Sequence, residues 1–298
     1  ALDRALPGDT LTLKPGVYTA PAFLAHGGTA DAPLTIQGAG AEVTMLDGGK
    51  EPSALLVLDK ADHVAIRDLE VRWFGDSGIA ATDSTHGTVE RCRFFNTPHI
   101  SSTGANGSGI LLSSSPGWTI SHCVFTGLEH GVRAFHSPEI KIRNNTAFRN
   151  FYTSVFLSQS LRGSEVTGNS FTFTGNESFR ISESDQQALA TFQSDFNNFG
   201  NVLRKESKDN ASEQNFTPSS HYGRIPESKV VIRAVIAGET LRFRSLDDWK
   251  AFAGKDAHSL WADPKYRNPG AGDFTLLPDS PNLLSDGRVI GALPAQTK

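Results

Sequence analysis

The sequence predicts an all-β fold, a single-stranded right-handed parallel β-helix with an N-terminal cap and a C-terminal segment of hairpin, short helix and tail. The main observation is a sequence motif that recurs along the middle of the chain. In each copy a small residue and an aliphatic residue open a strand, a polar turn follows, and a second strand ends near a Cys or Asn and an aromatic residue. The copies start at Gly78, Gly109, Gly131 and Ser154, so they lie 31, 22 and 23 residues apart. A period in the low twenties is typical of a solenoid, whose units bury their apolar faces by stacking.

Two further observations favour strands over helices in each unit. Apolar residues alternate with polar ones and are mostly β-branched or aromatic, and turns rich in Gly, Ser, Asn and Asp separate them. The Leu-x-x-Leu-x-Leu frame of a leucine-rich repeat, the competing solenoid at this period, is absent. One position beside the second strand carries only Cys or Asn, which predicts an internal ladder formed by Cys92, Cys123, Asn145 and Asn169.

Composition narrows the class of protein. The chain has 298 residues, of which 38% are hydrophobic, enough for a long core. No apolar run is long enough to predict a membrane span, and a formal net charge of −4 gives no overall positive field for nucleic acid. The two cysteines fall on the predicted ladder, so we expect buried thiols rather than a disulfide. We expect a monomer that binds neither nucleic acid nor membrane.

The chain reads as a single domain, residues 1–298, in four stretches. Residues 1–10 are expected to cap one end of the solenoid, and residues 11–204 to form its coils. Residues 205–228 are polar and predict a long excursion, and residues 229–298 are expected to cap the other end.

Two local features stand out within these stretches. The coil that starts at Gly78 is longer than its neighbours because of the loop 97–107, and a loop of this length predicts a wall of a binding cleft. In the C-terminal stretch, residues 230–243 alternate as in a hairpin, and Ser245 is placed as the N-cap of a short helix.

The two ends of the chain resemble those of a known family. The opening Pro-Gly-Asp-Thr and Lys-Pro-Gly-Val-Tyr of residues 7–18, and the closing Asp-Pro, Gly-Asp-Phe, Ser-Pro and Ile-Gly-Ala of residues 263–292, are similar to bacterial proteins of the pectin-lyase-like superfamily. The resemblance implies a right-handed parallel β-helix that is secreted or periplasmic and acts as a polysaccharide lyase or glycoside hydrolase. The matching ends are caps and turns, so they leave the reaction open.

Stacking the coils in register turns the sequence into columns of side chains. Alternation sends one column outward, and its members are Ala80, Leu111, Arg133, Phe156 and Arg180. A second outward column holds Thr82, Ser113, Phe135, Ser158 and Ser182. The column before the strand starts is expected to hold Asp76, Gly107, Glu129, Tyr152 and Glu177. The result is a face with acids, a histidine, a tyrosine, arginines and aromatic rings.

This face is the predicted functional site. Aromatic side chains stack on sugar rings, and arginines bind carboxylate or sulfate groups in a bidentate manner. We expect catalytic roles for His130, Arg133, Tyr152, Glu129 and Arg180. Substrate contacts are expected from Asp76, His99, Leu111, Phe135, Phe156 and Glu177. The alternative is a solvated ladder of salt bridges, because any face of a β-helix must carry some charge.

Three functions compete for this face. A lyase acting on a uronate-containing polysaccharide by β-elimination would use Arg133 or Arg180 to neutralise the sugar carboxylate, with His130 or Tyr152 as base or acid. A glycoside hydrolase would use paired carboxylates among the predicted acids. The third function is glycan binding without catalysis. No cofactor is certain, although calcium held weakly by the face carboxylates would suit a uronate substrate, and no spacing of residues predicts zinc.

Overall fold

The structure is a computed structural model that describes residues 2–19, 21–49, 53–96, 107–172, 174, 176–200 and 231–292. These residues form a parallel β-helix in which each full coil supplies one short strand to each of three sheets. The predicted excursion at 205–228 and all but the last residue of the predicted loop 97–107 lie outside the described residues. Among those that are described, no helix is long and apolar enough to cross a bilayer.

Three stacked sheets make up the walls of the solenoid. The first has eight strands: β1 (Thr10–Thr12), β4 (Leu34–Gln37), β7 (Val64–Arg67), β10 (Thr88–Glu90), β13 (Thr119–Ser121), β16 (Lys141–Arg143), β19 (Glu165–Thr167) and β22 (Gln193–Asp195). The second has seven: β2 (Gly16–Tyr18), β5 (Thr44–Asp47), β8 (Glu70–Arg72), β11 (Arg93–Phe95), β14 (Val124–Thr126), β17 (Thr146–Phe148) and β20 (Ser170–Thr172). The third has nine: β3 (Ala22–Leu24), β6 (Leu56–Asp59), β9 (Ser77–Thr82), β12 (Ser108–Ser113), β15 (His130–Phe135), β18 (Thr153–Ser158), β21 (Glu177–Glu183), β23 (Ile232–Ile236) and β24 (Glu239–Phe243).

Few elements depart from this pattern. A two-stranded antiparallel sheet is formed by β25 (Tyr266–Asn268) and β26 (Asp273–Leu276). The α-helices are α1 (Ala188–Thr191) and α2 (Leu246–Ala253), and short 3-10 turns occur at Leu2–Arg4 and Pro269–Ala271. The side chain of Ser245 accepts a hydrogen bond of 3.1 Å from the backbone N–H of Asp248, so the predicted N-cap of α2 is confirmed.

The predicted internal ladder runs along the corner between the first and second sheets. Asn145 accepts a 2.9 Å hydrogen bond from the backbone N–H of Cys123, and its amide donates to Asn169 Oδ1 at 3.0 Å. The amide of Asn169 in turn donates to Asn197 Oδ1 at 3.1 Å, which extends the ladder by one coil. Cys92 and Cys123 are buried and unpaired as thiols, as expected. The hydrogen bonds of the ladder therefore hold successive coils in a constant register.

The C-terminal residues cover the second sheet and extend the third. Tyr266 donates a 2.6 Å hydrogen bond to Ser170 Oγ, and the ring of Phe274 packs on Phe148 at 5.5 Å between ring centroids. The strands β23 and β24 form the predicted hairpin, and β23 pairs in parallel with β21 at the end of the third sheet. The hairpin thus lengthens the sheet that carries the predicted site.

Candidate functional site

One outward row of side chains crosses the third sheet from β12 to the hairpin. In order across the sheet its members are Leu111, Arg133, Phe156, Arg180, Arg233 and Arg242. The neighbours Val132 and Ala134 are buried in the core, so alternation turns this row outward. The predicted register of the row from Leu111 to Arg180 is confirmed. We call its four arginines, Arg133, Arg180, Arg233 and Arg242, the arginine column.

Gly131, at the start of its coil, allows the preceding residue His130 to lie on the same face as Arg133. A Cβ atom on Gly131 would lie 2.5 Å from the carbonyl oxygen of Ser154 and 3.5 Å from the Cβ of Phe125, so this position points toward the core and has no room for a side chain. Because Gly131 and Val132 both point inward, His130 emerges on the outer face, on the same side as Arg133.

The predicted position of Glu177 is wrong by one residue. We expected it in a column with Asp76, Glu129 and Tyr152, but it pairs with Thr153, which in turn pairs with His130. Arg180 on the same strand falls where predicted, so the error is confined to the start of β21, where Glu177, Ser178 and Phe179 are all buried and alternation does not hold. Glu177 is therefore placed beside the arginine column, and its side chain is only 2% exposed.

His130 lies at the centre of the face, buried under neighbouring side chains. Its Nδ1 atom is 2.6 Å from Thr153 Oγ1, and its Nε2 atom is 3.7 Å from Glu129 Oε1. Burial lowers the pKa of His130 to about 3, and the positive charges of Arg133 and Arg180 contribute to the shift. The imidazole is consequently neutral at any physiological pH.

Aromatic rings lie next to His130 and contact the guanidinium groups of Arg133 and Arg180. Arg180 Nη1 donates a 2.9 Å hydrogen bond to the phenol oxygen of Tyr152, and its guanidinium carbon lies 4.7 Å from the ring centre of Phe156. The guanidinium of Arg133 lies 5.1 Å from the ring centre of Phe135. The ring of Tyr152 meets His130 edge to face at 5.1 Å. The arrangement presents flat apolar surfaces beside guanidinium groups.

The three carboxylates of the face fall into two environments. Burial raises the pKa of Glu129, and the nearby charge of Asp76 raises it further while Arg133 opposes the shift. Burial also raises the pKa of Glu177, against the opposing charges of Arg180 and Arg233. Asp76 is exposed and accepts a 3.0 Å hydrogen bond from Ser77. Asp76 and Glu129 precede β9 and β15, which are two strands apart in the sheet, whereas Glu177 lies among arginines.

A solvated ladder of salt bridges occurs on this protein, but on the walls of the other two sheets. The pairs there are Arg72–Asp47 at 2.8 Å, Arg91–Asp68 at 2.7 Å and Arg143–Glu165. Within the described part of the chain, the only ion pair of the arginine column joins Arg180 Nε to Glu177 Oε1 at 3.8 Å. The Nε atoms of Arg133, Arg180 and Arg233 are buried and have no hydrogen-bond partner among the described residues. Among the described residues, the arginine column therefore has one ion pair for its four guanidinium groups.

Sequence reasoning found most of this face and missed part of it. The structure brings together the predicted catalytic residues, with Phe135, Phe156 and Glu177 around them and Leu111 next to Arg133 in the row. The predicted residue His99 lies outside the described residues. The missed residues are Thr153, Arg233 and Arg242. Alternation within 230–243 identified the hairpin, but nothing in the sequence indicated which sheet it joins.

The face does not present a dedicated metal site. No cluster of three or more His, Cys, Asp or Glu side chains that could hold a metal ion occurs in the described ranges. Asp76 and Glu129 offer the oxygen ligands that calcium prefers, but Glu177 is surrounded by arginines. This donor set does not fit a resident calcium ion.

Comparison with known proteins agrees with this architecture. Residues 54–215, more than half of the chain, match the family described as right handed beta helix region, so the chain belongs to the right-handed β-helix family. The predicted right-handed parallel β-helix is therefore confirmed. No curated protein matches the chain significantly.

Solved structures with the same fold include lyases and a glucanase. Pectate lyase Pel9A superposes with a TM-score of 0.50 at 13% identity, covering 98% of this chain and 89% of that one. An alginate lyase from Paenibacillus sp. str. FPU-7 has a TM-score of 0.46 at 16% identity, with 66% of this chain and 82% of that one covered. The catalytic domain of a GH87 α-1,3-glucanase in complex with nigerose has a TM-score of 0.49 at 18% identity, with 63% of this chain covered. This chain spans only 33% of that glucanase structure. At these identities the likeness shows the fold alone.

Proposed function

We propose that this protein is a carbohydrate-active enzyme that cleaves a uronate-containing polysaccharide by β-elimination on the outer face of the third sheet. The observation that carries the proposal is the arginine column, which has one ion pair among the described residues, beside a histidine held neutral. β-Elimination needs these two elements together, because a cation must neutralise the sugar carboxylate before a base can remove the adjacent C5 proton.

In the binding step, Arg133 and Arg180 bind the sugar carboxylate. Both guanidinium groups lie next to aromatic rings, so a pyranose ring can pack on Phe156 while its carboxylate meets the guanidinium donors. A bound carboxylate also offsets two of the charges that lower the pKa of His130. This removes the smaller, electrostatic part of the pKa shift of His130, whereas burial, its main cause, remains.

The proton transfers use the groups around His130. When Nδ1–H donates to Thr153, the lone pair of Nε2 accepts the C5 proton, and Glu129, 3.7 Å away, stabilises the imidazolium that forms. The electron pair of the broken C5–H bond forms the C4–C5 double bond, and the C4–O bond breaks. Tyr152 supplies the proton that the leaving oxygen takes up, and Arg180 orients its phenol.

The experiment follows two products on a panel of uronate polysaccharides. Elimination creates an unsaturated uronate that absorbs ultraviolet light, and hydrolysis creates reducing ends without that absorbance. His130→Gln and Arg180→Gln should each abolish the absorbance change. Arg143→Gln, which removes the same charge from the first sheet, should leave it unchanged. A wild-type protein that produces no unsaturated ends from any uronate polysaccharide contradicts the proposal.

A glycoside hydrolase is the second candidate, because one observation favours it. Burial raises the pKa of Glu129, with a smaller contribution from the charge of Asp76, and a carboxyl group with a raised pKa is suited to act as a general acid. In that case Glu129→Gln and Asp76→Asn abolish the release of reducing ends, and no absorbance appears. Binding without either product would instead favour a glycan-binding protein.

The setting of this activity is also a proposal. A polymeric substrate lies outside the cytoplasm of the cell that degrades it, so we place the protein in the periplasm or the medium. The partner is the polysaccharide, and a monomer suffices because every residue of the face comes from one chain.

A further inference from the structure

The hairpin adds two arginines to the end of the proposed site. Arg233 on β23 pairs with Arg180 on β21, and Arg242 on β24 pairs with Arg233. Neighbouring strands lie about 4.8 Å apart, so three guanidinium-bearing positions follow one another at this spacing. The hairpin therefore continues the row on which the first acidic sugar is proposed to bind.

Among the described residues, this end of the row has few acidic neighbours. Like charges directly opposite each other on adjacent strands destabilise the sheet, and a bound anion relieves that repulsion. Glu177 is the one carboxylate near this end of the row and is already 3.8 Å from Arg180 Nε. Among the described residues no carboxylate lies within ion-pair distance of Arg233 or Arg242, and the Nε atom of Arg233 is buried without a hydrogen-bond partner. The arginines on the other two sheets are paired with acids, which makes this gap specific to the third sheet.

We propose that Arg233 and Arg242 form a second subsite for an acidic sugar, so that the protein selects polysaccharides with acidic groups on consecutive sugar units. This inference rests on the proposed function, in that Arg180 is taken to hold the first acidic group. A sugar unit advances a polysaccharide by a length comparable to the spacing between strands. A chain that lies across the strands therefore brings its following sugar units past Arg233 and then Arg242.

The test measures binding of oligogalacturonates of increasing length by isothermal titration calorimetry. Arg242→Gln should raise the Kd for the hexamer about threefold, and the double variant Arg233→Gln with Arg242→Gln about tenfold, because charge-assisted contacts are lost. The dimer, whose two carboxylates meet Arg180 and Arg233, should bind Arg242→Gln like the wild type and lose less affinity than the hexamer in the double variant. Arg143→Gln removes the same charge from the first sheet and should bind both lengths like the wild type.

The outcomes separate this inference from the proposed function. A loss of affinity that is equal for dimer and hexamer, no loss at all, or a wild-type protein that binds neither length would overturn the second subsite. A wild type that binds in this length-dependent way without forming unsaturated ends would overturn the lyase proposal and leave the subsite standing. Carrageenan oligosaccharides, which carry sulfate and no carboxylate, show which acidic group the subsite takes. Arg242 is exposed, so its variant keeps the fold, as circular dichroism will verify.

Discussion

Burial of His130 should make this protein lose stability in mild acid. Its pKa lies at about 3 in the folded protein and at 6.5 ordinarily. Between these values the unfolded chain binds a proton at this position and the folded protein does not, so stability falls as the pH drops below 6.5. Lowering the pH from 7 to 5 should cost about 2 kcal/mol through this residue alone, and the full difference approaches about 5 kcal/mol near pH 3.

Urea unfolding followed by tryptophan fluorescence at pH 7 and pH 5 measures this effect. The wild type should lose about 2 kcal/mol more between the two pH values than His130→Gln, whose side chain does not titrate. His136→Asn serves as the control, because His136 is exposed and Asn tolerates its positive φ of 48°. It should follow the wild type. Equal pH dependence in the wild type and in His130→Gln would refute the argument that the imidazole is buried and neutral.

Further substitutions test the face, the ladder and the coil start. Arg133→Ala should abolish turnover and shift the melting temperature little, since the side chain lies outside the core; a variant that unfolds but stays active contradicts this assignment. Asn145→Ala removes three buried hydrogen bonds and should cost about 2–4 kcal/mol in urea unfolding, and a cost below about 1 kcal/mol would show that the ladder is not structural. Gly131→Ala should lower both the melting temperature and turnover, because its Cβ meets Ser154 O at 2.5 Å; wild-type values of both would contradict the close approach. EDTA should leave the melting temperature unchanged, and a large drop would reveal a structural metal.

Local periodicity was enough to predict the part of the site that lies on regular coils. Arg133, Phe156 and Arg180 follow one another at intervals set by the repeat, and alternation decides that they face outward. The ladder of Asn145 and Asn169 was predictable for the same reason, because each coil repeats the same corner. Such features depend on a few neighbouring residues and on a constant period.

Features that depend on the irregular start of a strand or on a distant segment were not predictable in this way. Glu177 was assigned one position too early because alternation fails at the start of β21, where three consecutive residues are buried. Arg233 and Arg242 joined the row only through the pairing of β23 with β21, across a stretch without periodicity. Chain-distant pairing of this kind is decided by the packing of whole elements.

The amino-acid sequence alone determined that this chain is a parallel β-helix with an outward face of arginines and aromatic rings. Strand alternation and coil period depend only on residues that are close together in the sequence. The tertiary structure decided the electrostatic character of that face. Burial makes His130 neutral and raises the pKa of Glu129, and the arginine column has one ion pair among the described residues. These properties arise from the desolvation and distances that side chains acquire only when the coils stack, so they belong to the assembled fold.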